Sequence, residues 1–209
     1  MGNVHSEIQK AEKAIAENDF DTAKDICIAA LKEMDSVTNR SAIKDRLDIL
    51  VVLSDICKHQ DRMFDNINYL RELTKGTHSI NDMEMLAKGL IRIGFVFNRM
   101  GKRDRAMDKF NEAEELTRNF ENQVQYGYAL AGKANIYWRT GENPKAIETA
   151  KQVMEIGLEN GEHPLTAGAA NVISSAWFEM GNFDEALKGA MQSVEIYRES
   201  GNISDLARA

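Results

Sequence analysis

"RMGKRDRAMDKF" at residues 99–110, "RTGENPKAIETA" at 139–150 and "EMGNFDEALKGA" at 179–190 share one piece of punctuation. Gly101, Gly141 and Gly181 stand 40 residues apart, and each is followed five residues later by an alanine, Ala106, Ala146 or Ala186. Glycine accepts the left-handed backbone that ends a helix, and alanine leaves room for two helices to approach closely. A fixed period of this length marks stacked supersecondary units, each unable to bury its apolar face alone. Upstream, "AENDFDTAKDICIAAL" (16–31) puts Asn18 at the glycine position with Ala23 five residues on. "DICKHQDRMFDNINYL" (55–70) reads as a worn copy anchored near Lys58, with Met63 and Leu70 where small residues are expected. The anchors then run 18, 58, 101, 141 and 181, in steps of 40, 43, 40 and 40.

Composition agrees with helices throughout. Only Pro144 and Pro164 interrupt a 209-residue chain that is 43% apolar and rich in Ala, Glu, Lys, Leu and Met, side chains that lose little rotamer freedom in a helix. The pattern predicts helices over 4–17, 20–36, 41–59, 62–75, 82–100, 103–119, 122–140, 144–160, 164–180 and 183–200. Asn143 is expected to cap its helix with Pro144 at the first helical position, and Pro164 to open the next. The three extra residues of the second step fall in "TKGTHSIND" (74–82), which is expected to be a loop and, over 76–81, a hinge.

The same numbers narrow the function. The longest apolar run, "ILVVL" at 49–53, is far below the roughly 20 residues of a membrane span, and no leader pattern precedes it. A soluble, cytoplasmic protein is expected, with no membrane partner. The balance of 26 basic against 33 acidic residues, a net charge of -7, argues against a nucleic-acid partner. Cys27 and Cys57 read as buried thiols of a reducing compartment, with a bridge between neighbouring helices left open. His5, His59, His78 and His163 are scattered, and no nucleophile, phosphate-loop or metal-ligand spacing occurs. The chain is therefore expected to be no enzyme, with no metal site and no cofactor.

At the residues themselves the pattern resembles the tetratricopeptide repeat (TPR). "LIRIGFVFNRMGKRDRAMDKFNEA" (90–113) carries Leu90, Ile93, Gly94, Phe97, Gly101, Ala106, Phe110 and Ala113 at that family's signature positions. The next two repeats keep Leu130, Ala134, Tyr137, Gly141 and Ala146, then Ile173, Ser174, Trp177, Gly181, Phe183 and Ala186. The period of 40 departs from the family's usual 34 and is similar to the long-period arrays of polarity adaptors, kinesin light chains and bacterial peptide sensors. The resemblance implies an all-α fold, a right-handed α-solenoid of about five TPR hairpins forming a single domain over 1–209. Its repeats fall at about 4–40, 41–81, 82–121, 122–161 and 162–201, with 202–209 beginning a capping helix or a further repeat.

In such a solenoid the first helix of each pair lines the concave side, so side chains three and four apart on those helices form a groove. The third repeat offers Lys88, Arg92, Phe95, Asn98 and Arg99, the fourth Tyr128, Asn135, Trp138 and Arg139, and the fifth Asn171, Ser175 and Phe178. Asn98, Trp138 and Phe178 are expected to form one ladder, and Phe95, Asn135 and Ser175 another. This cationic, asparagine-bearing and aromatic stripe suits a protein or peptide ligand with acidic residues. In the first two repeats the stripe is acidic and apolar, with Asp45, Asp48 and Asp55, so a ligand would meet opposite charge at its two ends. The expected function is a non-catalytic interaction scaffold. Its alternatives are a structural protein that self-associates through its end repeats and the peptide-sensing domain of a larger regulator.

Overall fold

The computed structural model describes residues 4–34 and 39–199, and among them every regular element is an α-helix. There are ten: α1 (Val4–Ala16), α2 (Phe20–Glu33), α3 (Arg40–His59), α4 (Met63–Ile80), α5 (Met83–Arg99), α6 (Arg103–Thr117), α7 (Val124–Arg139), α8 (Asn143–Glu159), α9 (His163–Glu179) and α10 (Phe183–Glu199). The expected tail helix beyond residue 201 lies outside the described residues. The chain divides into two compact units, Met1–Val96 and Phe97–Ala209, which are taken in turn.

In the first unit α1 packs on α2, α2 on α3 and α3 on α4, and α1 also meets α3. The core holds Ala11, Ala23, Cys27, Leu47, Leu50, Leu53 and Leu73, with Ile8, Phe20 and Tyr69 packed around it. Cys27 and Cys57 are both buried free thiols, so the disulfide left open by the sequence is absent. In the second unit α6 packs on α7, α7 on α8, α8 on α9 and α9 on α10, and α7 also meets α9. Its core includes Leu130, Ala134, Ala150, Val153, Leu165 and Ala169.

The left-handed residues record the repeat directly. Asn18, Asp61, Gly101, Gly141 and Gly181 all have φ between +57° and +80°. The anchor of the worn repeat is therefore Asp61, not Lys58, and the 43-residue step lies between the first and second anchors rather than between the second and third. With this register the position five after each anchor is buried in every hairpin: Ala23, Asn66, Ala106, Ala146 and Ala186. Asn66 fits a slot that elsewhere holds alanine because Ser54 Oγ donates to its Oδ1 at 2.8 Å.

Two local expectations are corrected. "TKGTHSIND" is not a loop, since α4 continues through Ile80 and ends on left-handed Asn81. Leu73, Thr77 and Ile80 are buried along that stretch, and the Leu47 side chain occupies the space where Gly76 has no Cβ. Burial at a spacing of three and four outweighs the poor helix propensity of glycine there. The second correction concerns α8, where Glu142 stands at the cap with no side-chain bond and Asn143 and Pro144 are already helical.

Candidate peptide-binding face

In the second unit four of the expected groove residues meet. Asn98, one residue from the end of α5, donates from Nδ2 to Asn135 Oδ1 on α7 at 2.9 Å. Arg139, one turn further along α7, donates from Nε to the same oxygen at 3.0 Å. Its guanidinium lies 5.3 Å from the Trp138 ring centroid. The spacing of α7 explains the grouping, because positions 135, 138 and 139 fall on one face at three and four residues. Asn98 Oδ1 and Trp138 Nε1 are buried and have no hydrogen-bond partner. An acceptor and a donor are thus left without protein partners within one cluster, an arrangement that costs free energy.

The remaining expected residues are placed as follows. Tyr128 is half-buried on α7; burial, and after it the Glu162 carboxylate to which it is hydrogen-bonded, raise its hydroxyl pKa above the usual value. Asn171 and Ser175 are half-buried one turn apart on α9. Phe178 is 62% exposed and its ring lies edge-on against Phe183 of α10 at 5.5 Å. Arg99 is exposed at the end of α5. In the first unit Phe95 is half-buried and Lys88 Nζ reaches Glu84, a turn earlier on its own helix, at 2.8 Å.

Arg92 corrects the expected charge pattern. It grips Asp55 with two bonds, 2.6 Å to Oδ1 and 3.3 Å to Oδ2, and touches Ser54 Oγ at 3.4 Å. Asp55 of the second repeat and Arg92 of the third therefore neutralise each other within the first unit. Matching charges on adjacent first helices were visible in the sequence; that they would face one another depended on the register set by Asp61.

A further pair was not anticipated. Lys133 Nζ meets Glu114 Oε2 at 2.5 Å, with side chains 16% and 15% exposed. Lys133 lies eight residues before its anchor, where the fifth repeat has Ile173, so a charge in an apolar slot was the available signal. Among the described residues no group of three or more His, Cys, Asp or Glu is placed to hold a metal ion, and no helix is long and apolar enough to cross a membrane.

Residues 125–199 match the tetratricopeptide repeat family model. No curated protein sequence matches the chain. Among solved structures the chain is similar to BtubC (BKLC) from P. vanneervenii, at 15% identity and a TM-score of 0.73, covering 92% of this chain and 78% of that one. It is also similar to aspartyl phosphate phosphatase F from Bacillus subtilis, at 13% identity and a TM-score of 0.80, covering 96% of this chain and 52% of that one. A Rap protein complexed with competence and sporulation factor is similar at 13% identity and a TM-score of 0.77, over 98% of this chain and 62% of that one. The chain thus spans roughly half to three-fifths of these last two proteins. Residues 125–199 thus match tetratricopeptide repeats, and the chain as a whole shares the helical-hairpin fold of these solved structures.

Proposed function

We propose that the chain is a non-catalytic interaction scaffold, a single array of five hairpins over residues 1–209, which binds an extended peptide or helix of a partner protein in its concave groove. The observation that carries the reading is the cluster of Asn98, Asn135, Trp138 and Arg139, with its unpartnered acceptor and donor. A peptide main chain offers the complementary N–H and C=O, and an acidic side chain would complement Arg139 beside the Trp138 ring. Asn171 and Ser175 extend the same face along α9, while Lys88, Arg92, Phe95, Arg99, Tyr128 and Phe178 complete the proposed lining. The similarity to a Rap protein solved with competence and sporulation factor supports a ligand of this kind. The net charge of -7 favours a protein over a nucleic-acid partner, and the two free thiols favour the cytoplasm.

Fluorescence anisotropy with a panel of acidic peptides tests the proposal on wild type, Asn135→Ala, Trp138→Ala and Arg139→Glu. Loss of an aromatic or arginine anchor at a binding centre costs about 2 kcal/mol or more, roughly a 30-fold rise in Kd. Equal affinity in all four proteins, with unchanged helicity, would remove this face from the function.

A further inference from the structure

The turn from α5 into α6 concentrates positive charge on a chain whose net charge is -7. Lys102 stands at the cap of α6 with no side-chain cap bond, and Arg103 and Arg105 follow in the first turn around Asp104. All three cations are exposed. The first turn of a helix is the positive end of its dipole, so cations there are unfavourable and acids favourable. Other hairpins follow that preference at the same place. Asp19 and Asp21 open α2, and Asp184 and Glu185 open α10. Where a cation does occur, an acid of the same turn neutralises it: Arg62 meets Asp65 at 2.5 Å, and Lys145 meets Glu142 at 3.5 Å. Among the described residues, Lys102 and Arg103 make no ion pair. Arg105 has a packing role, its guanidinium lying 5.9 Å from the Phe97 ring centroid.

This turn is bonded directly to the cluster on the peptide-binding face. Gly101 N donates to the Asn98 carbonyl at 3.0 Å and Lys102 N to the Phe97 carbonyl at 2.9 Å, so the basic turn begins where Asn98 holds its unpartnered Oδ1. We propose, resting on the peptide-binding reading of Asn98, Asn135, Trp138 and Arg139, that Lys102, Arg103 and Arg105 hold a short run of aspartate or glutamate in the partner peptide, beside the segment that the cluster holds. Opposite charge selects the sign of the occupant. The surroundings limit its length. Beyond Arg105, α6 exposes Asp108, Glu112 and Glu115, and Lys109 is already held by Glu112 at 2.5 Å. At 1.5 Å rise per residue Glu112 follows Arg105 by about 10 Å, close to the screening length at physiological salt. A long polyanion or an anionic membrane therefore meets repulsion where a short acidic run has ended. The run gives the first turn of α6 the negative charge that aspartates of the chain give α2 and α10.

Fluorescence anisotropy with two labelled peptides tests this, one carrying a run of glutamates beside a neutral segment and the other carrying glutamines in the same places. Wild type should bind the glutamate peptide about tenfold more tightly at low salt, and added NaCl should close the gap. Lys102→Glu with Arg103→Glu should abolish that preference and at the same time raise the Tm by about 2–4 °C, because the new acids suit the helix dipole. A purely structural role for these cations would lower the Tm instead. Equal affinity of wild type for the two peptides, a preference that survives the double substitution, or a lowered Tm would each overturn the proposal. So would binding that requires phosphoserine in place of glutamate, or a single-stranded DNA oligomer or anionic vesicle bound as tightly as the glutamate peptide. Trp138→Ala separates this turn from the groove. If it releases both peptides while the charge-reversed protein keeps its glutamate preference, the groove stands and the basic turn is excluded. If binding ignores Trp138 yet fails on charge reversal, the basic turn stands and the groove reading falls.

Discussion

Phe110 is fully buried, and a Cβ added at Gly132 would run into its ring. The aromatic ring and the absent side chain therefore form one packing unit between α6 and α7. Gly132→Ala is expected to destabilise the protein by about 1–3 kcal/mol, read as a lowered urea midpoint, because a full core has no room for an added methyl. Phe110→Leu should cost less in the Gly132→Ala background than in wild type, since the two positions share one space. Ser54 and Asn66 offer a polar counterpart. Ser54→Ala leaves the buried Asn66 amide without its donor and should cost about 1–3 kcal/mol, whereas Ser54→Ala with Asn66→Ala should approach neutrality. Alanine already occupies that slot in the other four hairpins. The sequence displayed Phe110 and Gly132, and even the signature position of Phe110, but not that each was the condition for the other.

The register at the level of helices was legible where glycine supplied the left-handed turn. Gly101, Gly141 and Gly181 placed α5 through α10 within a residue or two of their observed limits. It was misread where Asp61 took the same backbone, because an aspartate at positive φ leaves a weaker mark in sequence than glycine does. The three-residue error moved the extra length to the wrong junction and turned the end of α4 into an expected hinge. Burial of Thr77 and Ile80, with the Thr77 hydroxyl bonded to the Thr74 carbonyl at 2.8 Å, holds this stretch helical. Amide hydrogen exchange over residues 77–80 should accordingly be as slow as in the middle of α4. Exchange at the rate of an exposed loop would restore the hinge reading.

Across the whole molecule, stability should respond to alkaline pH through buried acids. Burial pushes the Cys27 thiol up from 9.0 to about 11, and also raises Cys57, Tyr69 and Tyr128. A raised folded-state value means that the unfolded chain ionises first. The contribution of Cys27 is thus complete below pH 9 and is lost progressively as pH rises towards about 11. Urea unfolding should show a falling midpoint across that window, with a smaller fall in Cys27→Ala. A pH-independent midpoint would show the thiol to be as accessible to water as in the unfolded chain.

Period, composition and small-residue spacing were enough to determine helices and their pairing into hairpins, because those features are local or repeat at fixed intervals. The groove cluster was legible only in part. Asn98, Asn135, Trp138 and Arg139 could be placed on one stripe, but the bonds that join them, and the atoms left unpaired, depend on how closely α5 and α7 approach. Tertiary structure alone decided that Arg92 would be spent on Asp55. A sequence records which side chains a helix offers on each face, whereas partnership and burial are properties of the neighbour that arrives there.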